Sequence, residues 1–211
     1  MFVLTVDQVD SRHQEDRVAA AIDRVRRDGG ERLALPPDRS AGDEFQVLTA
    51  DARTALDLTL ALTRGRAWSV GLGVGPVREP LPASVREATG PAFIAAREAV
   101  DAAKKAPHRF FLTAAGAGLL DGESVRALIE LVLAIRGRRS DEGWEVVDLL
   151  QDGRTQAAVA DQLGITPQAV SLRLAAAQWR LEEAAVPALA LLLEDLDRGA
   201  TPSAVPSPGA S

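Results

Sequence analysis

Apolar and polar positions in the first part of the chain alternate between two periods. FVLTVD is an unbroken apolar run ending at Asp7, and it reads as a buried strand. Val18, Ile22 and Val25 then recur at helical spacing, and Gly29-Gly30 closes that segment. After the turn-rich LPPDRSAGDE, EFQVLTA reads as a strand. A helix is expected from Asp51 to about Arg64, with Asp51 as its N-cap and Ala55, Leu58 and Leu62 on one face. AWSVGLGVGPV reads as a strand ending in a glycine-rich turn. A proline-rich loop leads to a helix from about Pro91 to Lys104, and RFFLTAA supplies a further strand. Strands alternating with helices predict one sheet covered by a layer of helices.

Beyond Gly118 the strand signals stop. Val125, Leu128, Ile129, Val132 and Ile135 mark a helix over Glu123–Arg138, and further helical patterns continue to about Arg198. A bend is expected at Pro187, with Leu189, Leu192, Leu193 and Leu196 beyond it either packing back on the bundle or forming a dimer face. GATPSAVPSPGAS has little to bury and reads as a disordered tail. The expected organisation is a domain over residues 1–117, a helical domain over 118–198 and a tail over 199–211.

Composition narrows the function. With 46% hydrophobic and 26% charged residues the chain reads as a soluble, cytoplasmic protein, and no apolar run is long enough for a membrane span. The absence of cysteine excludes thiolate metal sites, and two histidines, His13 and His108, make a histidine-based centre improbable. Any metal would sit on oxygen ligands and would be magnesium-like. The net charge is -6. Up to Leu120 there are 16 Lys+Arg and 16 Asp+Glu, so the excess lies beyond it, 8 against 14, which argues against a sequence-blind polycation on nucleic acid.

Two constellations carry chemistry. In the first, Asp7 ends one strand and Asp43 and Glu44 sit in the turn before another, after Gly42. An acid at a strand end beside acids at a hairpin tip is the arrangement that holds the cations of nucleotidyl transfer. A solvated acidic turn has the same letters, and Asp10-Ser11 reads as a helix N-cap. VDQVDSR followed by AGDEFQ, then GLGVGPV and GPAFIAAREAV, resembles the SatD family, whose members are similar to the class III nucleotidyl cyclase and GGDEF palm. The resemblance covers roughly residues 1–115. It implies Asp7 and Asp43 as ligands of Mg2+ or Mn2+ with the carbonyl of Gln8 nearby, Glu44 in support, and Gly42 and Arg97 at a bound nucleotide. Where such cyclases carry an asparagine four residues before the arginine, this chain has Phe93, which has no donor for a developing charge. A degenerate, non-catalytic domain that senses a purine nucleotide or cyclic (di)nucleotide is therefore expected, with Arg97 the one catalytic candidate. An active nucleotidyl cyclase with a DNA-binding appendage is the alternative.

In the second, Gly153–Arg180, Thr155 starts a short helix with Val159, Ala160 and Leu163 inward. Gly164 supplies a left-handed turn, and Thr166-Pro167 opens the next helix. The segment resembles the helix-turn-helix of sigma-factor region four. Val170 and Leu174 are expected inward, leaving Gln168, Ser171, Leu172 and Arg173 for base edges, with Thr155, Gln156 and Thr166 at the DNA backbone. Arg136, Arg138 and Arg139 in RGRR read as a solvated helix end that could add backbone contacts. Local charge here is only +2, three arginines against Asp161, so a homodimer on double-stranded DNA is expected. The fold expectation is α+β: a ferredoxin-like, cyclase-like palm sheet followed by an all-α helix-turn-helix domain. The function expected is that of a DNA-binding transcription regulator with a nucleotide-binding domain.

Overall fold

The computed structural model describes residues 1–200. It is α+β, with a mixed five-stranded sheet and, among the described residues, eight α-helices. The strands are β1 (Phe2–Gln8), β2 (Leu33–Ala41), β3 (Glu44–Thr49), β4 (Trp68–Val74) and β5 (Phe110–Ala114). Their order is β2-β3-β1-β4-β5, antiparallel except for the β4–β5 pair. Helix α1 (Val18–Gly29) joins β1 to β2, α2 (Ala52–Thr63) joins β3 to β4, and α3 (Pro91–Ala103) is the crossover to β5. Then follow α4 (Gly122–Gly137), α5 (Asp141–Gln151), α6 (Gln156–Leu163), α7 (Pro167–Ala176) and α8 (Trp179–Ala200).

LPPDRSA, expected as a turn, is most of β2. Pro36 and Pro37 are tolerated because β2 is an edge strand with an irregular register, so a missing amide need not break a central ladder. Helix α1 starts at Val18 rather than after Asp10-Ser11, because Asp10 takes a positive φ and pairs with His13, while the Asp16 carboxylate accepts from the Val18 amide. Gly199 and Ala200 belong to α8, and the rest of the tail, 201–211, lies outside the described residues. Helix α8 also runs through Pro187, held on both sides by buried Val186, Leu189, Leu193 and Leu196.

The strand period sorts the two faces of the sheet. Phe2, Leu4, Val6, Phe45, Val47, Val70 and Leu72 point to a large core shared with α1, α2, α4 and α8. Ile129 of α4 and Leu193 and Leu196 of α8 lie in that same core, so the apolar core continues across the boundary expected near residue 117. The opposite face meets α3 at close range: a Cβ on Gly71 or Gly73 would overlap the α3 backbone at Ala92, Ala96 and Val100. The glycines of GLGVG therefore lie mostly within β4, and the facing alanines of α3 let helix and sheet touch. A third core, Val146, Val147, Val159, Ala160, Val170 and Leu174, joins α5, α6 and α7.

A buried polar joint connects these cores. Glu182 of α8 accepts from Arg136 and Arg139 at the end of α4, and Arg136 also donates to the Leu60 carbonyl of α2 at 3.0 Å. Guanidiniums of Arg64, Arg139 and Arg136 lie 3.9, 4.3 and 4.7 Å from the Trp144 ring of α5, and Arg64 grips Asp148 with bonds of 2.6 and 2.9 Å. Gly71→Ala is expected to lower stability by about 1–3 kcal/mol, because α3 must lift to admit the methyl group. Urea denaturation would measure this, and an unchanged midpoint would refute the close-packing account.

Candidate functional site

The register of the sheet builds a polar row from residues distant in sequence. Asp7 lies opposite Glu44 on β3 and Ser69 on β4, all on the face that carries α3. One step along the strands, Thr5 lies opposite Gln46 and Gly71. Beyond them the face turns apolar with Val3 and Leu48. Directly opposed positions bring Cβ atoms to about 4.5–5.5 Å, so this end of the sheet concentrates carboxylates and hydroxyls.

Helix α3 hangs two cations over the row. Arg97 donates to Glu44 at 2.5 Å, and Lys104, two turns later and just past the end of α3, lies 3.1 Å from Asp7. The Glu44 side chain is 6% exposed and takes a second bond from Ser40 at 2.5 Å. Burial pushes the Asp7 carboxyl above its ordinary value, the Lys104 hydrogen bond and charge pull it back, and the charges of Asp43 and Glu44 push it up again. Burial draws Lys104 down, but Asp7 and Asp101 together outweigh it and leave the ammonium above its ordinary value.

The hairpin tip holds its own contacts. Gly42 has a φ of 54°, which suits the first central position of a two-residue turn between Ala41 and Glu44. Asp43 accepts from the Ser11 hydroxyl, and its carbonyl accepts from the Gln8 amide at 3.1 Å. The Gln8 side chain is turned to the segment before α1, where it bonds the Glu15 carbonyl and the Arg17 amide. Arg39 braces the turn by donating to the Gly42 carbonyl and to both oxygens of Asp16.

Asp7 thus lies beside Glu44, which holds Arg97, while Asp43, expected to share a cation with Asp7, sits at the edge of this group on Ser11. Lys104, Ser69 and Ser11 were missed. The seven-residue spacing of Arg97 and Lys104 on one helix face was a signal for the first, whereas nothing local marked the serines. The residues present do not fit a divalent-metal centre: each of the three carboxylates already faces a cation or hydroxyl. No group of three His, Asp or Glu side chains converges to hold a metal among the described residues. The one buried oxygen of the row without a partner is the Ser69 hydroxyl, too little for an oxygen-ligated cation.

Beside the row, a cleft of about 1340 Å³ lies between the loop preceding α3 and the β2–β3 hairpin. Arg78, Arg86 and Arg97 line it with Gln46 and two acids, Glu87 and Glu98, and Phe93 and Ile94 form an apolar wall. Phe93 is 9% exposed and packs with Val3, Leu48 and Ala92. At that position the chain has a core residue and no hydrogen-bond donor.

The α6–α7 segment has the local geometry its letters imply. Thr155 and Thr166 accept from the Ala158 and Ala169 amides at 3.2 and 3.1 Å, and Gly164 has a φ of 63°. Val170 and Leu174 are buried, and Gln168, Ser171 and Leu172 are exposed. Arg173 is tied to Glu145 of α5 at 3.0 Å, and Gln156 accepts from Ser171 at 3.2 Å. The Thr155 and Thr166 oxygens accept as N-caps, which leaves each hydroxyl proton, and the Gln156 amide N–H groups, able to donate. Arg136 and Arg139 are buried, not a solvated helix end.

No family model, curated protein or solved structure matches the chain. Because Lys104 stands where a cation would neutralise Asp7, the wild-type protein is expected to bind no Mn2+ at this row. Lys104→Ala is expected to gain Mn2+ binding that Lys104→Ala/Asp7→Asn loses again, read by Mn2+ electron paramagnetic resonance. Stoichiometric binding to the wild type that Asp7→Asn abolishes would contradict the fit argument.

Proposed function

We propose that the chain is a DNA-binding transcription regulator: α6 and α7 act as a helix-turn-helix, and the sheet domain binds a nucleotide or second messenger that adjusts it. The observation that carries the reading is the division of α7. Val170 and Leu174 anchor it in the α5–α7 core, while Gln168, Ser171 and Leu172 form an exposed face. A helix held from behind and polar in front suits insertion into the major groove, where a glutamine reads adenine and an apolar side chain meets the thymine methyl. Arg173, engaged with Glu145, has a bracing role in this reading, not one in base recognition.

The sheet supports the second half of the proposal. The order β1-α1-β2-β3-α2-β4 with strands arranged β2-β3-β1-β4 supports reading this part as a ferredoxin-like palm, with α3 and β5 added to it. The arginine-lined cleft beside Arg97 offers an apolar wall for a base and guanidiniums for phosphates, without a divalent cation. Phe93 and the Lys104–Asp7 pair favour binding over catalysis.

Three measurements test this. Selection from a random duplex library is expected to enrich a two-part motif with half-sites about one helical turn apart, as a homodimer requires. Gln168→Ala is expected to cost about 1–3 kcal/mol at one base position in anisotropy titrations, and Arg173→Ala much less. Failure to enrich any sequence would overturn the DNA reading. Separately, a purine nucleotide or cyclic dinucleotide at ~100 times its dissociation constant is expected to stabilise the protein by about 2.7 kcal/mol. The shift should vanish in Arg97→Ala; its absence with every nucleotide would remove the ligand from the proposal and leave the DNA part standing.

A further inference from the structure

The arginines of RGRR have a role that neither the sheet site nor α7 accounts for. Beside the polar joint, where the end of α2, the approach to β5, the end of α4 and the start of α5 meet, lies a second cavity of about 620 Å³. Arg64, Arg66, Arg136, Arg138 and Arg139 line it. Asp141 is the one acid in its wall, and His108 lies at its edge.

The charges do not cancel. Arg64 is matched by Asp148, but Glu182 alone serves both Arg136 and Arg139, so two buried guanidiniums share one carboxylate. Counting Asp141, Asp148 and Glu182 against the five arginines leaves two positive charges in excess. One buried nitrogen of Arg139, Nη1, has no hydrogen-bond partner. Burial, with the charges of Arg139 and Arg64 beside it, outweighs the pull of Glu182 and holds the Arg136 guanidinium below its ordinary value. Leaving guanidinium charge buried and unmatched is costly, and an anion in the cavity would relieve it. The two cations least committed to the protein stand in the wall: Arg66 spends one nitrogen on the Pro107 carbonyl, and the Arg138 side chain has no hydrogen bond or ion pair among the described residues.

We propose that this cavity is an anion site that takes a phosphorylated small molecule. Arg66 and Arg138 grip the phosphate, and the Arg136–Glu182–Arg139 joint supplies the residual positive field. A guanidinium fork matches two phosphate oxygens at once, and an excess of two charges matches a phosphate dianion. The volume is that of a small-ligand pocket, and a concave site of this size suits a detached phosphate better than the convex backbone of a duplex. Since Arg66 follows α2 and Arg138 lies between α4 and α5, a bound anion ties the end of α2 to the α4–α5 junction and so bears on how the α5–α7 cluster is held. That consequence for DNA binding rests on the function proposed above, whereas the site itself does not.

The test uses the full chain and pyrophosphate, followed by isothermal titration calorimetry at two salt concentrations. Wild type is expected to bind one pyrophosphate per chain, more weakly at high salt. Arg66→Gln/Arg138→Gln is expected to bind at least tenfold more weakly while keeping the wild-type melting temperature in the absence of ligand, and Arg97→Ala to bind as wild type. Arg138→Gln alone, which removes no hydrogen bond or ion pair among the described residues, keeps the test valid if the double variant unfolds, with weakened binding again expected. No stoichiometric binding, or binding unchanged in these variants, overturns the site. Displacement of pyrophosphate by a random duplex would identify the source of the phosphate as DNA backbone and overturn its assignment to a small molecule.

Discussion

The arrangement of the helices depends on one buried carboxylate. Glu182 sits in the first turns of α8 and accepts from two guanidiniums that end α4, which fixes the angle at which α8 leaves the α5–α7 cluster and enters the main core. Arg139 also donates to the Ala177 carbonyl just before α8, so the same interaction sets the junction of α7 with α8. Trp144 fills the space between the guanidiniums and turns an electrostatic contact into a packed one. Breaking such a pair on one side strands a buried charge at a cost of about 3–5 kcal/mol, so this joint resists partial loss.

The same physics operates at the sheet in a milder form. Asp7 and Glu44 lie side by side on neighbouring strands, a like-charge contact that would be unfavourable alone. Arg97 and Lys104 come down from α3 to neutralise them. They can reach because Gly71 and Gly73 let α3 settle directly on β4. Glycines in a strand, alanines on a helix and two long cations at helical spacing are thus parts of one arrangement. Its outcome is a charge-balanced polar row beside a cleft that carries three arginines.

Exposed α7 and the buried joint are connected through α5. Helix α5 carries Trp144 and Asp148 toward the sheet layer and Val146 and Val147 toward α6 and α7. Any force that repositions α5 against the end of α2 reaches α7 through packed side chains. That physical continuity is what the proposed regulation would use, since a ligand shifts an equilibrium only by differing in its affinity for the two arrangements.

Much of the local structure was legible in the letters. The caps at Asp51, Thr155 and Thr166, the left-handed Gly164 and the apolar faces of α2 and α7 follow from hydrogen bonds and periodicities spanning a few residues, so sequence alone determined them. The juxtaposition of Asp7 with Glu44 was half visible, because a strand end and a hairpin tip must meet if the two strands pair. Partners far apart in the chain were not visible. Lys104 beside Asp7, Glu145 beside Arg173 and Glu182 between two arginines depend on how helices cross, and no local pattern encodes a crossing. The edge position of β2, which makes its prolines tolerable, and the entry of α4 and α8 into the first core are likewise properties of the packed whole. Sequence determined most helices and strands, β2 excepted, and which residues carry charge; tertiary structure decided which charges are matched, because matching requires side chains from different elements to share one desolvated space.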